Sequence, residues 1–156
     1  MADAYLTGLR MLARRELSEA QLRLRLARRQ FPPDDIEHAV DRLRGDRSLD
    51  DRRTALACAR TEAHVKRRGR LRVLRQVEAL GIAREVAAAC VAEVFADIDE
   101  EALLARALDS RLRGGQTLDE PAAVRRVQRY LMARGFDAAR VQAAIRRRRR
   151  GADERE

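Results

Sequence analysis

A segment of about fifty residues recurs three times along this chain, and the recurrence limits the possible folds more than any other feature. One copy reads Leu26-Ala-Arg-Arg-Gln-Phe31-Pro-Pro-Asp-Asp-Ile36-Glu-His-Ala-Val40. Another reads Leu131-Met-Ala-Arg-Gly-Phe136-Asp-Ala-Ala-Arg-Val141-Gln-Ala-Ala-Ile145, and the two align without a gap. Between them, Val77-Glu-Ala-Leu-Gly81-Ile82-Ala-Arg-Glu-Val86 supplies a weaker copy, so that Phe31, Ile82 and Phe136 correspond. A fixed period of this length marks a repeat array, whose stacked units build extended surfaces for macromolecules. Binding is therefore expected rather than catalysis.

Each copy divides into three helical stretches. In the first, Leu6, Leu9 and Leu12 stripe one helix, with Met11 beside them. Ser18-Glu-Ala-Gln21 reads as a capping box opening a second helix through Leu22 and Leu26. Pro32-Pro33 stops it, and Pro33 suits the first turn of a third, striped by Ile36, Val40 and Leu43. The second copy opens at Leu49-Asp50-Asp51, where an aspartate can cap and both carboxylates favour the positive helix end. Leu56, Ala59 and Ala63 follow, then a Gly69 break, then Leu74 and Val77, a stop at Gly81, and a stripe of Val86, Cys90 and Val94. The third copy repeats the scheme with Leu103, Leu104 and Leu108, a Gly114-Gly115 break, a start at Asp119-Glu-Pro121, and Val124, Val127 and Leu131. Gly135 ends that helix and Asp137 caps a last one bearing Val141 and Ile145. No useful stretch alternates with period two. The predicted fold is all-α: three tandem three-helix repeats at 1–48, 49–98 and 99–150 in an elongated, curved array, with a frayed tail at 151–156.

The net charge is +9, so the expected partner is anionic: nucleic acid or an acidic protein face. Lys66 is the sole lysine, a bias that reads as GC-rich coding rather than selection at each arginine. Cys58 and Cys90 have neither zinc spacing nor a disulfide framework and fit as buried thiols. His38 and His64 form no metal pair. Glu16 with Glu19, and Asp34 with Asp35, read as helix electrostatics rather than acid–base pairs. No phosphate loop or nucleophile elbow occurs, so no catalytic residue, cofactor or metal is expected. With no leader and no apolar run of the roughly 18 residues a membrane span needs, the chain is expected to be cytoplasmic, and a monomer is the simplest expectation for an extended array.

Two basic clusters remain as candidates. Lys66, Arg67, Arg68, Arg70, Arg72 and Arg75 straddle the break in the middle copy. If Leu74 and Val77 face the core, Arg72 and Arg75 stay available to a partner. The alternative is a merely solvated charged face. Arg146, Arg147 and Arg148 lie in a run continuing to Arg150 that covers every side of a helix, and a solubilising tail is the competing reading.

Together these residues resemble the RecX family, bacterial regulators of the recombinase RecA, from about Leu9 to Ile145. Leu49-Asp50-Asp51-Arg-Arg-Thr54-Ala55 is similar to the family's Leu-Asp-Asp-x-x-aromatic-Ala signature, with Thr54 in the aromatic place. Arg67-Arg68-Gly69 followed by Arg72, Val73 and Gln76 resembles the family's basic second helix, with Arg70 where proline is frequent. Leu80-Gly81-Ile82 and Arg134-Gly135-Phe136 match its repeated turn, and Gln30 replaces the glycine in the first copy. The resemblance implies a protein that binds the RecA–DNA filament, blocks ATP-driven strand exchange and restrains recombination and the damage response. A nonspecific DNA-binding helical protein, on single or double strands, and a helical adaptor for another acidic partner are the competing readings.

Overall fold

The computed structural model describes residues 3–115 and 117–154, and among these the chain forms nine α-helices and no strand. They are α1 (Ala4–Arg14), α2 (Glu19–Arg28), α3 (Pro33–Gly45), α4 (Asp51–Arg60), α5 (Arg70–Glu78), α6 (Arg84–Phe95), α7 (Glu100–Arg113), α8 (Pro121–Ala133) and α9 (Ala138–Asp153). A π-helical turn, Thr61–Val65, continues α4. Helix pairing is concentrated within three groups, α1–α3, α4–α6 and α7–α9. Each group has its own core. Leu22, Leu26, Val40 and Leu43 anchor the first. Val73, Val77, Cys90 and Val91 anchor the second, and Leu104, Val127, Leu131 and Val141 the third. Cores this small are marginal alone, so the joints between groups carry stability as well as geometry.

Local chemistry repeats with the groups. Asp3, Asp50 and Asp99 cap α1, α4 and α7, each carboxylate accepting from a backbone amide (Tyr5, Arg53 and Ala102). Ser18 and Gln21 form the expected capping box on α2, and Pro33 begins α3. Asp137 caps α9 by accepting from the Arg140 amide. The three turns after α2, α5 and α8 adopt the same left-handed backbone, at Gln30 (φ 65°), Gly81 (φ 77°) and Gly135 (φ 99°).

Gln30 can lack the glycine for a steric reason. A Cβ on Gly81 would lie 2.5 Å from Ala20 Cβ, and one on Gly135 would meet Arg72 Cβ and its amide nitrogen. Each glycine turn is thus pressed by the preceding group. The Gln30 turn has no group before it, so it meets only the conformational cost of a side chain at positive φ. Gln30→Gly is therefore expected to raise unfolding stability by about 1 kcal/mol, measured by urea titration; an unchanged or lower midpoint would contradict the equivalence of the three turns.

Several expectations need correction. Leu6 is 45% exposed, and α1 instead buries Ala4, Thr7 and Gly8. Gly8 lets α3 approach closely: a Cβ there would come within 2.9 Å of Leu43 Cδ1, which selects that face. Leu49 packs in the first core, so the second group begins at the Asp50 cap. Val73 and Val77 are the fully buried pair of α5, with Leu74 at the margin. The helix after the arginine run extends to Asp153 rather than ending at Gly151, and the last two residues of the expected tail lie outside those described, as do Met1 and Ala2.

Candidate partner-binding surface and the joints that shape it

The groups are fastened by one arrangement used twice. In each, the start of a group's second helix docks on the turn that follows the next group's second helix. At the first joint the Ser18 hydroxyl donates to the Leu80 carbonyl, just before Gly81. The Glu19 amide donates to Asp51 at 2.8 Å. At the second, the Gly69 amide donates to the Arg134 carbonyl at 2.8 Å and the Leu71 amide to the Gly135 carbonyl at 3.1 Å. The Glu19, Gly69 and Leu71 donors are amides that a helix N-terminus leaves without intrahelical partners. Gly69 has no room for a side chain, because a Cβ would lie 2.5 Å from Gly135 C and O.

The Leu49-Asp50-Asp51 signature belongs to the first joint. Leu49 fills the preceding core, Asp50 caps α4, and Asp51 receives the Glu19 amide. Burial holds the Asp51 carboxyl above its ordinary pKa despite that bond. Thr54 is buried with its hydroxyl 3.1 Å from both the Asp50 carbonyl and a Glu16 oxygen, so it makes a polar contact across the joint. Arg53 clasps Glu16 at 2.8 Å. Glu19 lies below the usual carboxylate range, chiefly through the hydrogen bonds from Arg44. Asp51 and Glu16 thus bond across the joint, whereas Glu19 pairs within the first group.

The central basic cluster is also largely committed inward. Glu62, on the π-helical turn, is 4% exposed and accepts from Lys66 at 2.6 Å and from Arg68. Burial alone would push Glu62 up, but the bonds from Lys66 and Arg68 hold its pKa below the ordinary value. Arg70 pairs with Glu100 of the next group at 3.3 Å. Arg72 donates to the Ala133 carbonyl at 2.9 Å, and Arg134 returns the contact by donating to the carbonyls of Lys66 and Arg67 at 2.7 and 3.1 Å. Each of those arginines caps the carboxyl end of a helical segment in the other group, where a cation is favoured. The expectation that Arg72 stays available is therefore corrected: it points into the joint. Arg67 and Arg75 are the members of the cluster most open to solvent together with Lys66, whose ammonium is held by Glu62.

The second cluster divides similarly. Arg147 meets Glu101 and Arg148 meets Asp109, each at 2.8 Å, so two arginines of α9 form exposed ion pairs with α7. All five arginines of the run are exposed, and Arg146, Arg149 and Arg150 make none of these pairs. Sequence reading passed over a third set, Arg125, Arg126 and Arg129, exposed on α8, a helix with no acidic residue. The absence of any acid within that helix was the available signal.

Burial raises the pKa of both cysteine thiols, Cys58 and Cys90, which keeps them protonated and poorly nucleophilic at neutral pH. Among the described residues no group of His, Cys, Asp and Glu is placed to hold a metal, and no helix is long and apolar enough to cross a membrane.

Three helical cores joined edge to edge, with arginines on the surface and within the joints, define a helical-array class. A family model for RecX, first three-helix domain, matches residues 4–43. Regulatory protein RecX of Syntrophotalea carbinolica is 33% identical over 139 residues, covering 88% of this chain and 90% of that protein. Regulatory protein RecX of Xanthomonas oryzae pv. oryzae is 34% identical, with 89% and 84% covered. A crystal structure of RecX from Lactobacillus salivarius superposes with a TM-score of 0.78 at 14% identity, over 92% of this chain and 93% of that one. A second crystal structure of regulatory protein RecX gives 0.78 at 19% identity, over 89% and 68%. The chain belongs to the RecX family of regulatory proteins.

Proposed function

We propose that this protein is a negative modulator of RecA that binds the RecA–DNA filament and inhibits its ATPase and strand exchange, thereby restraining recombination, DNA repair and the SOS response. Membership of the RecX family carries this reading. The twice-used joint supports it, because a fixed relation between successive groups suits a partner that is itself a regular filament. In this account the chain acts in the cytoplasm as a monomer, without a cofactor, and performs no chemistry. Its functional units are the three-helix repeats at residues 1–48, 49–98 and 99–150, adjusted so that Leu49 belongs to the first core. The test is ATP hydrolysis by preassembled filaments titrated with the protein.

The exposed arginines of α8 favour a second reading, direct binding to the phosphates of single- or double-stranded DNA. Each phosphate neutralised adds roughly −0.7 to −0.9 to the slope of log affinity against log salt, so the salt slope on bare DNA measures that contribution. Tyr5 and Tyr130 are engaged by Arg42 and by Arg111, which leaves little aromatic surface for base stacking.

A further inference from the structure

One short segment of the middle group combines three features that each oppose folding. Thr61–Val65 is π-helical, a conformation that is rare and concentrated at functional sites. Arg67 has a left-handed backbone (φ 51°) without being glycine. Glu62 is an almost fully buried carboxylate. The surroundings over-determine all three: Lys66 and Arg68 close on Glu62, and Arg134 reaches from the next group to grip the Lys66 and Arg67 carbonyls. What this scaffold projects is a tip. Val65 is 75% exposed, the most exposed large apolar side chain among the described residues, and His64 and Arg67 flank it in solvent. A cleft of about 320 Å³ opens beside the tip, lined by Ala63, His64, Arg67, Ile98, Leu103 and Arg106 with Asp97 and Asp99 at its edge.

The geometry points to this tip as a protein-docking knob: Val65 enters an apolar recess on the partner while Arg67 pairs with a carboxylate at its rim. A protein surface fits better than a nucleic acid backbone. Of the basic groups around the tip, Lys66, Arg68, Arg70 and Arg72 are committed to Glu62, Glu100 and the Ala133 carbonyl, and the others, His64, Arg67 and Arg106, share the cleft with Asp97 and Asp99. The Asp97 and Asp99 carboxylates oppose a phosphate in that cleft, and an exposed valine offers it nothing. A rigid apolar anchor beside guanidinium groups instead matches the make-up of protein interfaces.

The inference rests on the filament reading above for its probe, the RecA filament on single-stranded DNA. Val65→Asp and Arg67→Gly are compared with wild type, Arg67→Gly because glycine accepts the left-handed backbone and removes the guanidinium without threatening the fold. Both variants are expected to unfold at or above the wild-type urea midpoint within experimental error, and to bind filaments at least tenfold more weakly with bare-DNA affinity nearly unchanged. Wild-type filament affinity in both folded variants overturns the knob while leaving the filament reading intact. Loss in Arg67→Gly alone, in parallel with loss on bare DNA, also overturns it in favour of phosphate contact. Failure of wild type itself to bind filaments overturns the filament reading and the inference with it.

Discussion

Gly135→Ala is expected to cost about 3 kcal/mol, combining a side chain forced into positive φ with overpacking against a neighbouring backbone. The new Cβ would collide with Arg72 Cβ and its amide nitrogen, and neither can swing aside as the end of a flexible side chain would. The turn also supplies the carbonyls that receive the Gly69 and Leu71 amides, so displacing it breaks the second joint rather than one contact. Against a total folding stability of about 5–15 kcal/mol, that is a large fraction. Gly45→Ala is the control, because nothing lies within 4 Å of its added Cβ. Urea titrations of the two variants should separate clearly, with Gly135→Ala shifted far down and Gly45→Ala near wild type. Equal midpoints would remove the close approach at the second joint from the account.

Glu62→Gln should be the next most damaging substitution, at about 2 kcal/mol, because Arg68 then stays half-enclosed without its counter-charge. The pH dependence gives a second signature. The folded-state pKa of Glu62 is lowered, since the bonds from Lys66 and Arg68 outweigh burial. Its ionised form therefore stabilises the fold fully above the unfolded carboxylate pKa of about 4.3, and the contribution disappears as pH falls through the lower folded value. The gap between wild type and Glu62→Gln should be constant near neutrality and narrow in acid. A gap that widens as pH drops would mean that Glu62 folds protonated. The same variant loosens the tip, so its filament binding should fall along with stability, whereas Val65→Asp should lose binding alone.

Much of the architecture was legible because it depends on local chemistry. The Ser18–Gln21 box, Pro33, Asp50 and Asp137 each act within a few residues, and the turns at Gly81 and Gly135 are set by backbone freedom. Apolar stripes placed most of the three cores. Leu6 failed because α1 offers two possible apolar faces, and a contact from α3, allowed by Gly8, decides between them. The basic cluster was the harder case. Whether an arginine is free depends on acids and helix ends remote in sequence: Arg72 finds a carbonyl 61 residues away, and Arg70 a carboxylate 30 residues away. Nor does the Glu62–Arg68 spacing follow an α-helical face; it exists because the chain turns back through the left-handed backbone at Arg67. Charge reversal at Arg68, Arg72 and Arg75 together would thus read the joint as well as the surface, while Arg75 alone reads the surface.

On the proposed function, the filament rather than DNA is the target. ATP hydrolysis by RecA filaments preassembled on single-stranded DNA, titrated with this protein with and without excess free DNA, tests it most directly. Inhibition that persists in the presence of excess DNA is the expected result. Hydrolysis that recovers fully when free DNA is added, or is never inhibited, would contradict it.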